Sequence, residues 1–113
     1  MSNAAVDERK ELLECELDRI LNVLIRNYQP EKVLVFGSLA RGEVGTWSDL
    51  DLIVIKRTQL RFLDRIAEVI ELIDPHVGID VLVYTPEEFE QLQERPSFRD
   101  EVLTKGKVLY ERV

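Results

Sequence analysis

The chain has 113 residues, of which 45% are hydrophobic and 33% charged, and its formal net charge at pH 7 is -7. This composition is typical of one small folded domain, residues 1–113, and excludes a disordered chain. No apolar stretch approaches the roughly 20 residues of a membrane-spanning helix, and no signal peptide opens the sequence, so we expect a cytoplasmic protein without a membrane partner. Because 22 Asp and Glu outnumber 15 Lys and Arg, nucleic acid is disfavoured as the main ligand.

Two small features of the first 15 residues affect the interpretation. The opening Met1-Ser2-Asn3-Ala4 is typical of a cloning remnant, and a native start stays open as the alternative. The single cysteine, Cys15, cannot form an internal disulfide. Its helical surroundings predict a packing or surface role rather than a reactive one.

The first half of the chain alternates helix and strand. Apolar residues at intervals of three and four predict an amphipathic helix over residues 6–28, which Gln29 and Pro30 end. A short buried strand is predicted at 33–36. A turn of helix starting at Ser38 follows, and Gly42 breaks it.

The second half continues the alternation and then becomes mostly helical. It predicts, in order, a strand at 50–55, a helix at 60–73, a strand at 79–84, a helix from 86 to about 94, a short helix capped by Ser97 to about 104, and an edge strand in the final "KVLYERV". This order indicates an α/β (α+β) fold of two layers, a small mixed sheet of three to four strands packed by helices.

Three aspartates stand at strand ends that the predicted topology brings together. Asp49 and Asp51 share one face of the second strand because side chains alternate along a strand. If the helix at 60–73 is a right-handed crossover, the second and third strands are parallel, and Asp80 falls beside Asp51. The first connection is too short for a crossover, so the first strand should be antiparallel to the second.

Carboxylates placed this closely repel one another, and a divalent cation relieves that repulsion. Mg²⁺ prefers oxygen ligands and is commonly shared between carboxylates and substrate phosphates. The sequence therefore predicts a site for two Mg²⁺ ions, which bind together with a nucleotide. Gly37 gives a phosphate room to approach, and Ser38 offers a hydroxyl at a helix start. Arg41 either adds positive charge for a phosphate or pairs with Glu43 at the surface.

The stretch "GSLARGEVGTWSDLDLIV" carries a motif. Gly37-Ser38 is followed by ten residues and then by Asp49-Leu50-Asp51, and Asp80 stands in the later strand "GIDVLVY". This pattern resembles the nucleotidyltransferases of the DNA polymerase beta superfamily. The Ala-Arg-Gly after Ser38 and the serine before the first aspartate, Ser48, are similar to the minimal nucleotidyltransferases in particular.

The resemblance implies a nucleotidyltransferase fold and transfer of AMP from ATP with release of pyrophosphate. It implies that Asp49 and Asp51 bind the Mg²⁺ that bridges the triphosphate. Asp80 would help to hold a second ion and take the proton of the acceptor hydroxyl. Gly37 and Ser38 would grip the outer phosphates, and Arg41 and Ser48 complete the expected nucleotide-binding set.

Minimal nucleotidyltransferases often pair with a HEPN protein, an RNase toxin, and act as its antitoxin by adenylylating it. The resemblance therefore implies a protein adenylyltransferase with a HEPN-type toxin as partner. Two alternatives stay open: a non-catalytic antitoxin that neutralises its partner by complex formation, and a small-molecule nucleotidyltransferase subunit of the aminoglycoside-modifying kind. A homo-oligomer and a hetero-complex are both possible, and Trp47 either covers the base or shields its own loop.

Overall fold

The structure, a computed structural model, describes residues 3–113, so Met1 and Ser2 lie outside the described residues. Helix α1 spans Ala4–Val23 and starts two residues earlier than predicted, because the Asn3 side chain accepts hydrogen bonds from the backbone amides of Ala5 and Val6. The helix widens into a π-helical turn, Leu24–Tyr28. It ends at Gln29, whose φ of 54° is left-handed and which precedes Pro30, as predicted.

A four-stranded mixed sheet forms one layer of the molecule, with the strand order β3-β2-β1-β4. Strand β1 is antiparallel to both β2 and β4, while β2 and β3 are parallel. The predicted strand directions are therefore confirmed. The strands are β1 (Lys32–Phe36), β2 (Leu50–Ile55), β3 (Ile79–Tyr84) and β4 (Lys107–Glu111).

The remaining helices connect the strands. They are α2 (Gly37–Arg41), α3 (Phe62–Ile73), α4 (Pro86–Leu92) and α5 (Pro96–Phe98), which continues as a π-helical segment, Arg99–Thr104. The predicted cap at Ser97 is wrong. Arg95 occupies the N-cap and Pro96 the first helical position, which places Ser97 inside the helix. Helix α3 also begins two residues later than predicted, and α4 ends two residues earlier.

Strand β2 separates two hydrophobic clusters because its side chains alternate between the faces of the sheet. Leu50, Leu52 and Val54 are fully buried in the larger cluster, with residues of α1 and α3. Ile53 and Ile55 lie in the smaller cluster with Phe89 and Val102. Asp51 belongs by alternation to the face of the smaller cluster and lies two residues before Ile53, near the start of β2 and β3.

Two further sequence predictions concern the exterior. Cys15 is exposed on α1, which confirms the surface role. Within residues 3–113 no helix combines the length and hydropathy that crossing a membrane requires.

Candidate functional site

Asp51 and Asp80 lie side by side at one end of the sheet. Asp51 of β2 is directly opposite Asp80 in the parallel register and opposite Phe36 in the antiparallel one. Asp51 is half-buried, whereas Asp80 is exposed. The parallel pairing predicted from the crossover helix therefore places these two carboxylates together.

The Asp51 carboxyl is electrostatically unfavourable in its ionised form. Burial raises the pKa of Asp51 to about 6, and the charge of Asp80, a hydrogen bond to the Asp80 carboxyl and the charge of Asp49 add to the rise. The positive charge of Arg41 acts in the opposite direction. The site thus holds negative charge that a cation would stabilise.

Two glycines make room for two of the aspartates. A Cβ at Gly37 would overlap the Asp51 carboxylate, and a Cβ at Gly78 would overlap the carboxylate of Asp49. Gly37 also has a φ of 74°, a left-handed conformation that side chains with a Cβ rarely adopt. Gly37 therefore packs directly against Asp51, and this packing does not depend on any contact with phosphate.

Asp49 lies next to the pair but is turned towards α1. Its Oδ1 is 3.5 Å from an Nη of Arg9, and the Arg9 Nε donates a 2.8 Å hydrogen bond to the Ser48 carbonyl oxygen. Among residues 3–113 no three His, Cys, Asp or Glu side chains are gathered closely enough to hold a metal ion. The structure therefore brings Asp51 and Asp80 together, while the third predicted ligand, Asp49, is held by an arginine.

The two serines of the motif have different surroundings. Ser38 is the second residue of α2, and its carbonyl oxygen accepts the backbone amides of Gly42 and Glu43 at the end of that helix. The hydroxyl of Ser48 accepts a 2.8 Å hydrogen bond from the Gly45 amide and so closes the loop before β2. Their contacts with a nucleotide stay predictions.

Arg41 is engaged by acidic side chains. It donates a 3.0 Å hydrogen bond to Glu43, as one alternative predicted, and a second one to Glu101 of the π-helical segment. Hydrogen bonding to Glu43 raises the pKa of Arg41. The charge of Arg41 still acts on Asp51, so Arg41 lies near the candidate site. Binding of a phosphate by Arg41 stays a prediction.

Trp47 is 89% exposed on the loop before β2. A side chain this exposed does not shield its loop, so that alternative is wrong. Stacking on a nucleotide base stays a prediction.

A protein-family model described as polymerase beta nucleotidyltransferase matches residues 18–113 of this chain. The chain belongs to the polymerase beta nucleotidyltransferase family. The match includes Asp49, Asp51 and Asp80 and the loop between α2 and β2, so the resemblance carried by the motif is confirmed. No curated protein sequence matches the chain.

Solved structures share the nucleotidyltransferase fold. A candidate nucleotidyltransferase from Sulfolobus solfataricus superposes with a TM-score of 0.72 at 18% identity, over 98% of this chain and 91% of that chain. A toxin–antitoxin structure with AMP-PNP superposes with a TM-score of 0.55 at 20% identity, over 84% of this chain and 73% of the other. At these identities the likeness concerns the fold, and the predicted fold class is confirmed.

Three residues that contact the candidate site were missed by the sequence interpretation: Arg9, Gly78 and Glu101. Gly78 had a local signal, since it lies two residues before Asp80 at the start of a strand. Arg9 and Glu101 had none, because their contacts join residues 39 and 60 positions apart. Arg9 also lies before the span that matches the family model.

The donor set fits magnesium in its chemistry. Asp51 and Asp80 offer hard carboxylate oxygens, and a site with one or two carboxylates that leaves the other positions to water and phosphate oxygens is the usual arrangement for Mg²⁺. The raised pKa of Asp51 marks a position where added positive charge is favourable.

Proposed function

We propose that this family member is a Mg²⁺-dependent nucleotidyltransferase that transfers AMP from ATP to a hydroxyl group of a partner protein. The observation that carries the proposal is the register that sets Asp51 opposite Asp80, with Gly37 packed against Asp51. Such a carboxylate pair beside a strand-to-helix turn suits phosphoryl chemistry, in which positioning and charge stabilisation supply most of the catalysis.

In the proposed reaction the acceptor oxygen attacks the α-phosphorus of ATP. A bond from that oxygen to phosphorus forms as the bond from phosphorus to pyrophosphate breaks, and the hydroxyl proton passes to the Asp80 carboxylate. Asp51 and Asp80, joined by Asp49, would hold the cation, which when bound offsets the charge of the triphosphate and polarises it. Asp80 suits proton acceptance because it is exposed at the strand end.

The chain itself would hold the triphosphate at the turn after β1. Gly37 and Ser38 begin α2 there beside Asp51, and Arg41 at the end of α2 is close enough for its charge to act on Asp51. Arg41 must leave Glu43 and Glu101 to reach a phosphate. Ser48 would fix the loop that carries Asp49 rather than bind the nucleotide directly.

We propose a HEPN-type toxin as the partner, which makes the protein an adenylylating antitoxin. The toxin–antitoxin complex among the structural neighbours supports a protein partner, although its fold is the only property shared at 20% identity. The net charge of -7 also favours association with a basic protein over a nucleic acid.

Radiolabelled ATP tests this function directly. The wild-type chain is incubated with Mg²⁺, α-labelled ATP and the product of the neighbouring reading frame, and the label is expected on that product. Asp51→Asn combined with Asp80→Asn should abolish labelling. Asp64→Asn, an exposed carboxylate of α3, is the matched control and should label normally. Labelling that survives the double change would reject the assigned site.

The acidic surface also favours the second candidate, an antitoxin that acts by complex formation alone. Protection of cells that express the toxin distinguishes the two. If the Asp51→Asn, Asp80→Asn protein binds the toxin and still protects fully, complex formation is sufficient. A parallel reaction with aminoglycosides in place of the toxin tests the small-molecule alternative.

A further inference from the structure

The residue pair Arg9 and Asp49 links α1 to the proposed metal site. Arg9 is only 22% exposed, although arginine is usually a surface residue, whereas Asp49 is 54% exposed. The guanidinium contacts two consecutive residues, through its Nε with the Ser48 carbonyl oxygen and through an Nη with Asp49 Oδ1. A planar fork that contacts two groups fixes their relative position better than a single donor does.

Arg9 occupies the side of Asp49 that faces α1. The same oxygen, Oδ1, lies so close to Gly78 that a Cβ on Gly78 would overlap it. Asp49 therefore contacts both an arginine and a glycine through one oxygen, and among the described residues it does not complete a three-carboxylate group with Asp51 and Asp80. Asp51 and Asp80, by contrast, are held opposite each other by the β2–β3 register.

We infer that Arg9 is a positioning residue of the site: it is the counter-ion of Asp49 in the metal-free protein and competes with a divalent cation for that carboxylate. The inference rests on the proposed function, because it concerns the same site. When a cation binds, Asp49 turns from Arg9 towards Asp51 and Asp80, while the Arg9 Nε keeps its hydrogen bond to Ser48. Helix α1 would thus set the cation concentration at which the site assembles.

Binding of Mg²⁺ alone, measured by titration calorimetry at low ionic strength, tests the inference without any transfer reaction. Arg9→Gln is expected to bind Mg²⁺ about threefold more tightly than the wild type, the range set by a half-exposed ion pair. Lys10→Gln is the matched control. It removes the same charge from the next residue of α1, where Lys10 pairs with Glu14 instead, and should leave the affinity unchanged.

A second measurement uses the unaltered protein, so the test does not depend on how a variant folds. Saturating Mg²⁺ should shift the guanidinium ¹⁵N resonances of Arg9 and leave those of Arg19 in place, because Arg19 pairs with the buried Glu16 away from the site. Arg9→Lys, which keeps the charge, should retain nearly wild-type affinity.

The outcomes separate clearly. Tighter binding by Arg9→Gln alone, with a shift at Arg9, supports the inference. Equal or weaker binding, an equal gain in Lys10→Gln, an unmoved Arg9 resonance, or no Mg²⁺ binding to any variant overturns it. Normal Mg²⁺ binding without transfer of AMP would reject the proposed function and leave the inference about Arg9 intact.

Discussion

Gly37 lies so close to Asp51 that a Cβ on Gly37 would overlap the Asp51 carboxylate. The same residue has a φ of 74°, so a larger side chain there meets both a clash and an unfavourable backbone conformation. The glycine that starts the motif is therefore tied to the aspartate 14 positions later by packing. This relationship gives a prediction that separates packing from backbone strain.

Gly37→Ala should impair the site beyond its effect on folding. Gly42→Ala is the matched control, since Gly42 has the same φ of 74° but nothing within 4 Å of its Cβ position. Backbone strain alone costs about 1 kcal/mol, and both variants should lose that much stability by urea denaturation. Only Gly37→Ala should lose a further ~1–3 kcal/mol from overpacking, together with most Mg²⁺ binding. Equal losses in the two variants would contradict the packing of Gly37 against Asp51.

Asp51→Asn should stabilise the metal-free protein at neutral pH. Burial and the neighbouring carboxylates raise the pKa of Asp51 from 3.8 to about 6, which corresponds to about 1–2 kcal/mol of destabilisation once solvent screening is discounted. Removing the charge should raise the melting temperature measured with EDTA at pH 7.5 by on the order of 5 °C. Asp64→Asn, in an exposed pair, should change it little.

The pH dependence of that difference has a defined sign. Because the folded pKa of Asp51 is above its unfolded value, the destabilisation is fully present above about pH 6 and is relieved as the pH falls from about 6 towards 3.8. The advantage of Asp51→Asn should therefore shrink on acidification and vanish near pH 4. A lower melting temperature of Asp51→Asn at pH 7.5 would mean that structural hydrogen bonds hold the carboxylate. A constant advantage across this range would mean that the gain does not come from removing the charge of Asp51.

The strands and their directions were predictable from sequence, because each strand is a short run of aliphatic residues and the lengths of two connections set parallel or antiparallel pairing. Those rules suffice to put Asp80 beside Asp51. They do not specify which distant side chain reaches a given carboxylate. The contacts of Arg9 with Asp49 and of Glu101 with Arg41 depend on how helices pack, which a local pattern does not encode.

The Ser97 cap failed for a local reason. A serine after a proline reads as a helix start, but proline itself favours the first helical position, and the N-cap therefore falls on Arg95. The prediction rested on the capping ability of the Ser97 side chain, whereas the position of the N-cap is set by Pro96.

Arg65 joins three elements and should be needed for stability rather than for the site. It is only 7% exposed, and it donates to the Leu60 and Val83 carbonyl oxygens and to Glu88. Arg65→Met should lower the free energy of unfolding by about 2–4 kcal/mol, because it leaves these acceptors unpaired. The control Arg61→Met removes an arginine that is 91% exposed and should cost less than about 0.5 kcal/mol.

Both variants are compared by chemical denaturation and by Mg²⁺ titration at a temperature where both are folded. The Mg²⁺ affinity should not change in either, since Arg65, a residue of α3, contacts β3 and α4 at the opposite end of β3 from Asp80. A large loss of Mg²⁺ affinity in folded Arg65→Met would show that the two ends of β3 are coupled.

Glu101 should restrain Arg41 and so weaken nucleotide binding. Arg41 is shared by Glu43 and Glu101, and it must leave them to meet a phosphate. Glu101→Gln removes the competing charge that the π-helical segment brings to the site, so the affinity for the non-hydrolysable analogue AMP-PNP should rise about two- to fivefold. Arg41→Gln should lower that affinity, and Glu101→Gln should have no effect in the Arg41→Gln background because the competitor then has nothing to hold. Glu90→Gln, at an exposed residue of α4, removes the same charge elsewhere and should leave binding unchanged.

Fluorescence of Trp47, which is exposed on the neighbouring loop, gives a readout for the titrations. A gain in Glu101→Gln that persists without Arg41 would attribute the effect to general repulsion between Glu101 and the triphosphate instead of to release of the arginine.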